Sequence, residues 1–152
     1  MGYAAMQTPR LTHIALHVED IDACIQFYRQ FCGMDIIHQR RHGLKQIVWM
    51  AEPTRETDFI FVLMNGGQNL SLADNDYRHF GFALNSHAAV DEIAQRARQT
   101  GYLVWEPRQE PFPVGYYCGL RDPNGNYVEF SYGQPLGPGA DDFNKLTPPK
   151  ES

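Results

Sequence analysis

Two stretches of this chain repeat one pattern, and the pattern carries a histidine near its start. Leu-Thr-His-Ile-Ala-Leu-His-Val (residues 11–18) returns as Tyr-Arg-His-Phe-Gly-Phe-Ala-Leu (residues 77–84). Each copy leads into an amphipathic stretch that stops at a glycine, Gly33 in the first and Gly101 in the second. Farther on, Asp-Phe-Ile-Phe-Val-Leu (58–63) is echoed by Asn-Tyr-Val-Glu-Phe-Ser (126–131). The offset is 66 residues at the histidines and 68 at the later segments, so the repeat spans nearly half the chain. A chain built this way folds as two copies of one module. Pseudo-twofold symmetry then brings His13, His79 and Glu129 together, with Phe61 in the fourth equivalent place. Two histidines and one carboxylate make a metal site.

The local pattern fills in the modules. Leu11, Ile14, Leu16 and Val18 alternate as a strand does, whereas Ile21, Cys24, Ile25, Tyr28, Phe31 and Cys32 recur at helical spacing. Asp20 is placed to cap that helix by accepting from its unpaired N–H groups, and Gly33 to end it. Strands are predicted over residues 35–39, 45–50 and 58–64, with a turn at Arg41-His42-Gly43. The second half repeats the order: a strand at 78–84, a helix from about Ser86 to Thr100, then strands near 102–106, 116–121 and 126–132. Asp122-Pro123-Asn124-Gly125 between the last two is a strong turn signal. The expected fold class is α+β, with two βαβββ modules (about 11–67 and 77–133) in one domain over 11–133. Their sheets are expected to curve around the metal. Residues 1–10 and the Pro- and Gly-rich stretch 134–152 read as flexible termini, the latter a loose arm.

Composition narrows the partners. A net charge of −5 disfavours nucleic acid and anionic membrane surfaces, both of which reward a basic face. No apolar run approaches the ~20 residues that span a bilayer. The opening residues lack the basic start and apolar stretch of a signal peptide. Cys24, Cys32 and Cys118 are odd in number and lack zinc spacing, which fits buried thiols in a reducing cytoplasm.

A single strand histidine is ordinarily a hydrogen-bonded structural residue, and a single strand glutamate is ordinarily turned to solvent. Here all three fall on equivalent positions of a repeat, and Glu129 sits among apolar neighbours, where an unpaired charge is costly. His17 shares a strand face with His13 and is a candidate substrate contact, as are Phe61 and Tyr127, expected as apolar walls near the metal. Trp49, Trp105 and the Phe112-Pro113 loop are further candidates for a pocket wall. His38, His42 and His87 read as surface residues, and Cys118 as a small core residue with nothing to activate it.

The paired modules, the Thr-His-Ile-Ala-Leu opening and the Arg-Asp-Pro-Asn-Gly-Asn-Tyr-Val-Glu-Phe close resemble the vicinal oxygen chelate superfamily. That superfamily includes glyoxalase I, bleomycin and fosfomycin resistance proteins, epimerases and type I extradiol dioxygenases. The resemblance covers about residues 11–133. It implies metal ligands on the first and fourth strands of each module, which are His13, Phe61, His79 and Glu129 here. Phe61 cannot coordinate, which removes the four-ligand pattern of the glyoxalases. The remaining trio implies one divalent metal, Fe(II) or Mn(II) first and Ni(II), Co(II) or Zn(II) next, binding neighbouring oxygens of a small substrate. Ring-cleaving oxygenation and lyase or transferase chemistry are the implied activities. Against the first, the place of the extradiol tyrosine is Gly119; against the fosfomycin pattern, Ala15 replaces a threonine. A metal-independent antibiotic-binding protein is the alternative. The resemblance also implies a homodimer that exchanges modules, so that His13 of one chain joins His79 and Glu129 of the other.

Overall fold

The structure, a computed structural model, describes residues 7–140. Its chain divides after Gln68 into two compact units. The first holds β1 (His13–Val18), α1 (Ile21–Cys32), β2 (Asp35–His42), β3 (Lys45–Ala51) and β4 (Ile60–Asn65). The second holds β5 (His79–Ala83), α2 (His87–Thr100), β6 (Leu103–Glu110), β7 (Gly115–Arg121) and β8 (Tyr127–Tyr132). Each unit is a four-stranded mixed sheet with one helix, ordered β1-β4-β3-β2 and β5-β8-β7-β6. The outer pairs β1–β4 and β5–β8 are parallel and the remaining pairs antiparallel. The α+β class and the repeated βαβββ order are therefore as the sequence implies.

Both helices begin and end for the reasons their sequences give. Asp20 accepts from the Ala23 N–H at 3.0 Å, and Ser86 does the same for Ala89 at 3.0 Å. Gly33 and Gly101 close them at φ 63° and 82°, a left-handed geometry that costs a residue with a Cβ. The apolar stripe of α1 packs under its sheet, where the Tyr28 and Phe61 rings lie 4.7 Å apart. In the second unit Val90, Ile93, Ala94 and Ala97 of α2 are buried, and so are Cys118, Leu120, Val128 and Phe130 of the strands.

Strand register corrects one expectation. β1 and β4 pair Ala15 with Val62 and Ile14 with Phe61, while β5 and β8 pair Gly81 with Glu129. The residue equivalent to Glu129 is thus Val62, and the repeat offset there is 67. Phe61 belongs to the opposite face, 2% exposed and packed at a tilt against Tyr28 of the helix, so it is core and not a wall of the site. A one-residue slip in a strand moves every side chain to the other face, and apolar residues in a row (Ile60 to Met64) give no alternation to fix the register.

One further expectation changes. β6 runs on to Glu110, past Pro107, because it is an edge strand whose pairing is already irregular between Trp105 and Arg108. Of the stretch read as a loose arm, residues 134–140 are described. Gly137 lies close to the Ala83 methyl and Gly139 to the Tyr132 ring, so close that an added Cβ would come within 2.6 and 3.0 Å. The rest of the expected arm, 141–152, lies outside the described residues.

The 122–125 turn is held by one side chain. Asp122, 3% exposed, accepts from the backbone N–H groups of Asn124 and Asn126 at 2.9 Å each and from the Asn126 amide at 3.1 Å. Asp122→Ala leaves those donors without their acceptor and is expected to cost about 3 kcal/mol. The urea midpoint measures this, and an unchanged midpoint would remove Asp122 from the account of how β7 and β8 are joined.

Candidate metal centre

His79 opens β5 and Glu129 sits in the middle of β8, on the face of the second sheet turned away from α2. Parallel pairing sets Glu129 beside Gly81, two residues after His79 and on the same face. The carboxylate lies over that glycine: a Cβ added at Gly81 would stand 3.1 Å from Glu129 Oε2. A Cβ there would require the carboxylate to give by a few tenths of an ångström, so Gly81 is the cradle that leaves it room.

The imidazole is oriented by the chain just before it. His79 Nδ1–H donates to the Tyr77 carbonyl at 2.7 Å, which leaves Nε2 with its lone pair. Nε2 faces Glu129 Oε2 at 3.8 Å. That is beyond a hydrogen bond, and it is within the span that two ligands about 2.1 Å from one ion can bridge. Burial pushes the Glu129 carboxyl above the usual glutamate range, while the neighbouring His79 and a hydrogen bond from the Gln134 side chain pull it down. A lone pair and a half-buried carboxylate aimed at each other call for positive charge between them. A divalent cation fits this donor pair, and a histidine ligand that gives its other N–H to a backbone carbonyl is the usual support.

Trp105 forms the floor beside this pair. It is paired with Gly119 across β6 and β7, and its indole lies on that glycine so tightly that an added Cβ would fall 2.1 Å from the ring. His79 meets the indole edge-on at 5.9 Å, and the Tyr127 ring sits 5.1 Å away on another side. Tyr127 shares the face of Glu129, is 4% exposed, and accepts from Arg121 at 3.0 Å, which makes it a buttress of the floor. A cavity of about 490 Å³ opens over this floor, lined among others by His79, Glu129, Trp105, Tyr117 and Arg108. Tyr117 lines the cavity, whereas Tyr116 points to the opposite face and donates to Asp91.

The other expected residues lie in the first unit. His13 is exposed on β1 with Nδ1 hydrogen-bonded to the Thr12 hydroxyl at 3.0 Å. His17 is exposed at the far end of the strand, where Nε2–H donates to the Asn65 carbonyl at 2.9 Å. Trp49 is 42% exposed beside His38. Among the described residues no three His, Cys, Asp or Glu side chains form a cluster able to hold a metal. Cys118 is buried as expected, and burial lifts its thiol to about 12. Gln134 carries no sequence signal, because its setting in a Pro- and Gly-rich stretch hides its reach to Glu129, and neither does Arg108 in the cavity wall.

The profile of the Glyoxalase/Bleomycin resistance protein/Dioxygenase superfamily matches residues 10–130. The chain belongs to this superfamily. Its relatives include the uncharacterized protein PA2024 of Pseudomonas aeruginosa, 68% identical over 134 residues, which are 88% of this chain and 96% of that protein. Glyoxalase I of Leishmania major shares the fold at a TM-score of 0.66 and 18% identity, covering 91% of this chain and 93% of that one. A mutant of the fosfomycin resistance protein FosX of Listeria monocytogenes does so at 0.62 and 21%, covering 82% and 93%. That FosX structure holds Mn(II) and 1S,2S-dihydroxypropylphosphonic acid. No helix among the described residues of this superfamily member is long and apolar enough to cross a membrane.

Proposed function

We propose that the protein is a divalent-metal-dependent enzyme that takes two neighbouring oxygens of a small molecule. Its centre is His79 and Glu129, completed by His13 of a second copy of the chain. The observation that carries this reading is the facing of His79 Nε2 and Glu129 Oε2 at 3.8 Å over the Gly81 cradle. When bound, the ion supplies Lewis acidity to the paired oxygens. Two nitrogens and a carboxylate suit Fe(II) or Mn(II), then Ni(II), Co(II) or Zn(II). The Tyr77 carbonyl keeps the His79 lone pair on Nε2, and Gln134 holds the carboxylate. Tyr117, a residue of the cavity wall, would pass a proton to or from a substrate there, in either ring-cleaving or lyase and transferase chemistry.

The face of the first sheet that carries His13 supports assembly with a second copy. Ala15, Ile60 and Met64 share that face with it, exposed or half-buried, and Trp49 stands there 42% exposed beside the buried Val62. Apolar surface of this kind is what subunit contacts cover.

Metal content per chain tests the proposal, on protein purified without a histidine tag or chelator. About one Fe or Mn per chain is expected, falling to near zero in Glu129→Ala. A protein that stays empty and refuses added Fe(II), Mn(II), Ni(II) and Zn(II) would leave the apolar cavity as a metal-independent binding site of the antibiotic-sequestering kind.

A further inference from the structure

We propose that the cavity selects a flat, conjugated carboxylate, with its oxygen pair at the His79–Glu129 end and its carboxylate on Arg108. This rests on the metal-centre reading above and adds the substrate class. The cavity is of a size that holds one small organic molecule. Its walls are rings and short apolar groups: Trp105, Tyr77, Tyr117, Val114 and Pro107. Trp105 has one side fixed on Gly119, so the indole is a rigid plate and not a mobile flap. A flat molecule gains most from such a plate, because stacking uses area without ordering rotatable bonds.

Charge at the cavity wall decides the second feature. Besides the metal-binding pair, the charged groups lining it are Glu106 and Arg108. Glu106 is taken up by Arg98 of α2, with Nε on one carboxylate oxygen at 3.4 Å and a terminal nitrogen on the other at 2.6 Å. Arg108 meets Glu110 through a single nitrogen at 2.9 Å, with 64% of its side chain exposed. A guanidinium has five N–H donors in a planar fork, so one contact leaves it able to grip a carboxylate in the same plane as a stacked ring. The molecule so described chelates at one end, stacks along its body and is anionic at the other.

Protocatechuate (catechol carrying a ring carboxylate) and its neutral amide are the probes, titrated calorimetrically into Mn(II)-loaded protein whose metal content has been measured. The carboxylate is expected to bind about tenfold or more tightly than the amide. Arg108→Gln should bring the two within about twofold, and Arg108→Lys, which keeps charge without the fork, should fall between. Arg108 is exposed, so its variants should melt like the parent. Equal binding of acid and amide by the metal-loaded protein, or a preference that survives Arg108→Gln, overturns the substrate class and leaves the metal centre standing. A protein that takes up no Mn(II) overturns both.

Discussion

An equimolar mixture of His13→Ala and Glu129→Ala chains, unfolded and refolded together, is expected to bind metal at about a quarter of its sites, although each variant alone binds almost none. The reasoning is combinatorial. If His13 of one chain serves His79 and Glu129 of its partner, a mixed dimer has one site lacking both altered ligands and one site intact. Random pairing makes half the dimers mixed, and half of their sites are whole. His79 and Glu129 come from one sheet, held at 3.8 Å by the pairing of β5 with β8. Substituting either should therefore weaken binding by at least two orders of magnitude without disturbing the other's position. Metal content after refolding, with each variant refolded alone as the control, reads the result. Recovery near a quarter establishes shared sites. No recovery, with both variants folded and dimeric, would show that the third ligand does not come from a second chain.

How far the sequence speaks depends on which force sets each feature. The module order was legible because capping and periodicity are local: Asp20 and Gly33 frame one helix, Ser86 and Gly101 the other, and all four do in the structure what their chemistry suggests. His79 and Glu129 were legible because the second copy of the repeat has a clear alternation around them. The fourth strand of the first copy has none. Five apolar residues in succession, Ile60 to Met64, fit either face, and the ladder with β1 alone decides that Val62 and not Phe61 stands opposite Ala15. Trp105 was legible as a candidate pocket wall, but its seat on Gly119 was hidden for another reason. Trp105 and Gly119 are ordinary residues in separate strands, and only their cross-strand pairing turns one into a plate and the other into its seat. Gln134 was invisible because a stretch rich in proline and glycine carries no periodicity to place it.

The same pairing gives the second large effect, and it concerns space alone. Gly119 does not occupy the left-handed region, so alanine is acceptable to the backbone there. Its methyl, however, would stand 2.1 Å from Cε3 and 2.5 Å from Cδ2 of Trp105, and a ring carbon cannot yield as the end of a flexible chain does. Gly119→Ala is therefore expected to lift the indole off the sheet, at a cost of about 2 kcal/mol and with loss of the cavity floor. Trp105→Ala removes the same floor from the other side and also frees the edge contact with His79. The two changes should not add. With the indole gone the methyl at 119 has room, so Gly119→Ala should cost little in the Trp105→Ala background, giving a coupling of about 1–3 kcal/mol. Urea unfolding of the four proteins measures it, and the red shift of tryptophan emission in Gly119→Ala follows the indole directly. Full additivity with unshifted emission would mean that the indole does not rest on Gly119. The stacked-substrate proposal would then lose its plate, while the pairing of His79 with Glu129, which depends on β5 and β8, would be untouched.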